Sequence, residues 1–96
     1  MHHSSMLFFH QTTNGASSVM SCFEEMREYT AIITGINTGG IINFQASYNN
    51  IDWVTAPFMV TTGGPTVFNF KIATKYLRAI LTNANSLTNI SVWIVS

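Results

Sequence analysis

Apolar and polar residues alternate with period two along most of the chain, the mark of strands that bury one face. In "IINFQASY" the pattern puts Ile42, Phe44, Ala46 and Tyr48 on one side and Asn43, Gln45 and Ser47 on the other. "TVFNFKIAT" repeats it, with Phe68, Phe70 and Ile72 inward and Asn69 and Lys71 outward. In "NISVWIVS", Ile90, Val92 and Ile94 oppose Ser91, Trp93 and Val95. "YTAIITGI" and "YLRAILT" are apolar on both faces and suit central strands. Turn residues separate these runs: Asn37-Thr38-Gly39-Gly40, Asn49-Asn50, Gly63-Gly64-Pro65 and Asn83-Ala84-Asn85-Ser86. A spacing of about 8 to 12 residues between strands is that of an antiparallel sandwich.

One segment breaks the alternation. In "SCFEEMREY", Ser21 precedes Glu24 by the spacing of a capping box, and the stretch is too short for an independent helix. It predicts either one helical turn or a wide loop. Adjacent Glu24 and Glu25 point apart in any regular structure, which argues against an acid–base pair and for a solvated corner with Arg27 as partner.

Composition narrows the function. The 96 residues bound one small domain, 1–96. Charged residues are 8% and the formal net charge is zero, against about 25% charged residues in an ordinary soluble domain. Nothing in such a surface keeps copies apart. Arg27, Lys71, Lys75 and Arg78 are too few for a nucleic-acid footprint, so no nucleic acid is expected. No apolar run reaches the roughly 18 residues of a membrane span, and "MHHSSMLFFHQTT" lacks the features of a secretory signal. A single cysteine, Cys22, excludes an intrachain disulfide, and the histidines offer no zinc spacing. His10 is the one plausible base for Cys22, which reads as a buried structural thiol. "NIS" at Asn89–Ser91 matches a glycosylation acceptor, which matters only in a secretory pathway. No catalytic signature, cofactor or metal site is expected, and the chain is not read as an enzyme.

"SYNNIDWV" poses the one loop question. Tyr48, Asn49, Asn50, Asp52 and Trp53 could contact a sugar, or they could be a hairpin turn with Trp53 opening the return strand and covering the end of the core. One carboxylate and two amides fall short of the roughly six to eight oxygens of a calcium site. The turn is the expected reading. Arg78, in an otherwise apolar strand, must be paired or at an edge, since an isolated buried guanidinium is costly. It is a candidate interface anchor.

From Ile33-Thr34-Gly35 through "GGIINFQASYNNIDWV" to "KYLRAILTNANSLTNISVWI", the chain resembles a small β-sandwich module of phage virion proteins. In that family a Thr-Gly turn leads into a strand, a Ser-Asn-Asp-Gly-like tip and a Trp. A Tyr-hydrophobic-Arg-Ala strand and an alternating last strand follow. Residues 29–96 keep this order: Trp53 matches the tip tryptophan, Tyr76 to Ala79 the Tyr-Arg-Ala strand, and Thr88 to Ile94 the closing strand. The tip lacks the Asp-Gly pair, so the resemblance carries the fold and not a loop ligand. It implies head decoration (cement), tail-connecting or adhesin roles in a virion.

Apolar residues exceed what one small sandwich can bury. Met6, Leu7, Phe8 and Phe9 form a continuous run, and Trp93 and Val95 face away from Ile90, Val92 and Ile94. Together with Arg78 they are the candidate subunit interface. Segment 1–20 is expected to extend onto a neighbouring subunit. The expectation is an all-β, jelly-roll-like antiparallel sandwich of about seven or eight short strands, with at most one helical turn. As function it is a virion structural protein: a cement protein that is a homo-oligomer, a trimer as first expectation, in contact with the major capsid protein or other virion proteins. A tail or baseplate component and a carbohydrate-binding module are the alternatives.

Overall fold

A computed structural model describes residues 4–22, 24–61 and 64–96. These residues form nine strands and no helix: β1 Ser4–Gln11, β2 Gly15–Ala16, β3 Met20–Ser21, β4 Arg27–Ile36, β5 Ile41–Ser47, β6 Val54–Val60, β7 Thr66–Ile72, β8 Tyr76–Thr82 and β9 Asn89–Val95. One sheet has the order β1-β9-β4-β7; the other has β8-β5-β6 continued by β2, with β3 also on β8. All pairings are antiparallel. If β2 and β3 are taken as one interrupted edge strand, this is the interleaved four-on-four order of a jelly roll. The strands read as apolar on both faces, β4 and β8, are indeed interior ones.

The two inner faces meet in one core. Ile42, Phe44, Leu77, Ala79 and Leu81 from one sheet face Tyr29, Ala31, Ile33, Ile90, Val92 and Ile94 from the other, all essentially without exposure. Phe44 and Phe58 reach across to Phe68 and Phe70, with ring centroids 4.9–6.2 Å apart, and Tyr29 stacks on Phe70 at 5.6 Å. Aromatic pairs at such spacings add to the gain from burial alone. Gly35 lies where β4 meets β9, at φ +100°; a Cβ there would run into the Asn89 carbonyl oxygen, so the residue has to be glycine.

Three readings meet the structure. The capping-box segment, read as one helical turn or a wide loop, has no helical turn among its described residues: Ser21 belongs to β3 and Arg27 opens β4. Phe23, like Gly63 of the Gly-Gly-Pro turn and His2 and His3, lies outside the described residues. The inward face of β5 ends at Phe44. β5 keeps its register with β8 through Ser47, but Ser47 is drawn into the following turn, its hydroxyl bonded to Asn49 and to the Asn50 N–H, so Ser47 is buried and Tyr48 exposed.

The third concerns Leu7 and Phe8. β1 slips against β9 between Met6 and Phe8, two residues opposing one. This bulge turns both Leu7 and Phe8 into the core, where plain alternation would have sent one of them out. They are therefore no part of a contact surface while the domain is folded. Residues 4–11 pair with this chain's own β9.

Candidate interaction surfaces

The bulge leaves Met6 facing out, and register then decides what stands beside it. Met6 is opposite Trp93, Trp93 opposite Ile32, and Ile32 opposite Val67. One outward apolar residue from each of four adjacent strands thus forms an unbroken row across the whole sheet, about 14 Å long at the usual strand spacing. Met6, Ile32 and Val67 are 46%, 37% and 63% exposed. Trp93 is half-buried between its neighbours, as is Val95 in the next row. Val95, Thr30 and Asn69 flank the row on one side and Ser91 and Thr34 on the other, none of them charged. The Glu28–Lys71 pair stands away from the row, at the other ends of β4 and β7. Of the residues expected at an interface, Met6, Trp93 and Val95 share this face. Phe9 is exposed beyond the bulge, with its ring edge-on to His10. Ile32 and Val67 escaped sequence reasoning, because only the pairing of β4 with β7 and β9 reveals that they continue the line.

Arg78 lies on the outer face of the other sheet. Its Nε donates to Gln45 Oε1 at 2.8 Å, and its guanidinium lies 4.2 Å from the centre of the Trp53 ring. Gln45 is itself held, its amide donating to Thr55 Oγ1. Arg78 is thus fixed between a cross-strand partner and a ring, a cation–π arrangement. Trp53 stands just ahead of β6, half-buried against Arg78, and does not belong to the core cluster. It covers no end of the core, contrary to expectation.

The 48–53 loop is a turn built by Asn49. Its Oδ1 accepts from the backbone N–H groups of Ile51 and Asp52, both at 2.9 Å, and its amide donates to Asp52 Oδ2. Asn50 takes the positive φ, +61°, with its N–H on Ser47 Oγ. The organiser is therefore Asn49, and Asp52 accepts its side-chain amide. Tyr48 donates to Glu24 and carries Lys75 over its ring. Trp53 is stacked against Arg78, whereas the Tyr48 ring stays largely exposed. A shallow recess of about 340 Å³ beside the loop is lined by Ser47, Asn49, Asp52 and Thr74, polar groups largely engaged in the turn itself.

Cys22 borders a recess of about 250 Å³ with Ser4, Ser5, Ser21 and Tyr29. Burial pushes its thiol up, opposed by a side-chain hydrogen bond from Tyr29. His10 is at the far end of β1, bonded to Asn89 and Ser91, so the two form no nucleophile–base pair. Among the described residues no cluster of three His, Cys, Asp or Glu side chains could hold a metal ion, and no helix is long and apolar enough to cross a membrane.

Strand order and core define a jelly-roll β-sandwich with two outward faces of different character. No described protein family matches the chain, and no curated protein does at a significant level. The crystal structure of SPBc2 prophage-derived protein YomS is similar to it over 99% of this chain and 91% of that one, with a TM-score of 0.79 at 15% identity. The two share a fold.

Proposed function

We propose that the chain is a structural protein of a phage particle, and within that class a head decoration (cement) protein that oligomerises and bridges shell subunits. The carrying observation is the uncharged row Met6–Trp93–Ile32–Val67 spanning every strand of one sheet. An apolar band without charge can be covered without desolvating an ion, and the cores of protein interfaces have this composition. That the fold is shared with a prophage-derived protein supports the phage setting, as does the motif order along residues 29–96. By covering the row on assembled shells, the protein would stabilise them through linkage, by about 2.7 kcal/mol per site at a hundredfold excess over Kd.

Co-sedimentation with purified shells tests this. The chain should pellet with shells, and raised salt should weaken the association little, because apolar burial drives it. Substituting Met6→Ser, Ile32→Thr and Val67→Thr together should abolish pelleting while the circular dichroism of a β domain remains. Deleting residues 1–10 is not a clean test, since it would remove Leu7 and Phe8 from the core. Binding to tail parts alone would relocate the protein to the tail or baseplate. Failure to bind either would overturn the virion reading.

A further inference from the structure

One charge stands alone on the sheet opposite the apolar row. Among the strands of that sheet, β2, β3, β5, β6 and β8, Arg78 is the only charged residue. The four basic and four acidic side chains of the chain all lie among the described residues. The other cations pair with carboxylates: Arg27 with Glu25, Lys75 with Glu24 and Lys71 with Glu28. Arg78 has no carboxylate within ion-pair distance among those residues, and Asp52 lines the recess on the other side of the sheet, with Ala46 and Thr74. What holds Arg78 is neutral. Its Nε donates to Gln45 Oε1 at 2.8 Å, Gln45 donates to Thr55, and the guanidinium lies 4.2 Å from the centre of the Trp53 ring. The Nε bond leaves the N–H groups of both terminal nitrogens, the edge that grips a carboxylate by parallel hydrogen bonds.

We propose that Arg78 is the docking point for an acidic side chain, Asp or Glu, of a different protein. A guanidinium fixed before contact loses less rotamer entropy on binding than a flexible one. Here the fixing is done by groups that leave its charge uncancelled. The surroundings fit a protein partner. Tyr76 and Ile80 stand outward with Arg78 on β8, where Leu77, Ala79 and Leu81 point into the core. Register sets Asn43 beside Ile80 and Met59 beside Asn43, with Met59 exposed. Trp, Tyr, Met and Arg are enriched at the centres of protein interfaces. Lys, Asp and Glu, which these strands lack, are depleted there. This contact does not depend on the shell reading. If both hold, the chain bridges with two faces, an apolar one and a charged one on opposite sheets.

Nitrogen-15 NMR of the full chain, titrated with a hexaglutamate peptide, tests it. Arg27 and Arg78 are the only arginines, so the substitution Arg78→Lys assigns their Nε–H signals. The Arg78 signal should shift saturably with hexaglutamate and not with hexaglutamine, while that of Arg27, already engaged by Glu25, should move little. Raising salt from about 20 to about 500 mM should weaken binding about tenfold, because a charge pair near the surface is screened. Arg78→Lys keeps the charge but not the planar fork and should weaken binding about fivefold or more, with the Trp53 indole N–H as reporter. An Arg78 signal that both peptides move alike, or an Arg78→Lys chain that binds as tightly as wild type, would overturn the proposal. Tighter binding of a galacturonate hexamer than of hexaglutamate would also overturn it and assign Arg78 to an acidic polysaccharide. A dimer in sedimentation equilibrium that Arg78→Glu dissolves would overturn it in favour of a second copy. Should Arg78→Lys fail to fold by circular dichroism, Gln45→Ala takes its place. Releasing the side chain from its holder should weaken binding about threefold, and unchanged binding would count against the proposal equally. The Met6, Ile32 and Val67 substitutions should leave the titration unchanged, so failure of this contact and failure of shell binding are read separately.

Discussion

At the scale of single residues, the loop at 48–53 shows how side chains of similar chemistry divide one task. Asn49 holds two backbone N–H groups, while Asn50 supplies the left-handed conformation at φ +61°. Asparagine tolerates that conformation, and glycine adopts it without cost. Asn50→Gly should therefore leave stability unchanged or raise it by up to about 1 kcal/mol, measured by denaturant titration. A clear loss of stability would show that the Asn50 side chain does more than accept a turn. The sequence announced a turn through its paired asparagines. It could not say which asparagine organised it, because both types of role suit the residue and only backbone geometry separates them.

At the scale of elements, alternation was legible wherever a strand ran straight. Phe44, Phe70 and Val92 were expected inward and are buried. Phe70 touches Tyr29, Phe44, Phe58 and Phe68, so Phe70→Ala should cost about 3–5 kcal/mol in a denaturant titration; a loss below about 1 kcal/mol would contradict its central place. Reading failed at the bulges. A single extra residue at Leu7 changes which side chains face the core, and nothing in "MLFF" marks the slip, because all four residues are apolar. The same slips serve the edges. β1 carries two register shifts, β6 holds Pro57 and another shift, and β2 and β3 are two-residue fragments. Each makes a poor template for a further strand. On β7, the fourth edge, Lys71 stands out among apolar neighbours, a charge that discourages the same pairing.

For the whole molecule, the two sheets turn different chemistry outward: an apolar row on one, and on the other an arginine stacked on Trp53 and bonded to Gln45. Contact through the apolar row should hardly weaken as salt rises. A chain with so little charge was expected to associate from composition alone. Where it would do so needed the pairing of β4 with β9, which brings Trp93 beside Ile32 although they are far apart in sequence. Arg78 was legible as an anchor because a guanidinium stands out in an apolar strand. Its ring partner was not, since Trp53 approaches it only when β6 returns along β5.

The strand order also has a consequence in time. β9, the last of the nine strands in chain order, lies between β1 and β4, joining Ser4 to Val95 and Ile32 to Trp93. The sheet that carries the apolar row cannot close until β9 has been made. Among the described residues only β5 and β6 are neighbours both in sequence and in their sheet, so the Asn49 turn closes a short loop that is available early. Topologies dominated by distant pairings fold slowly, in about milliseconds to seconds, and a local hairpin is where order begins at least entropic cost. Asn49→Ala should therefore slow refolding in stopped-flow by nearly the full factor by which it weakens the fold, while the unfolding rate hardly changes. An effect confined to unfolding would move the nucleus elsewhere and leave the hairpin as a late arrival.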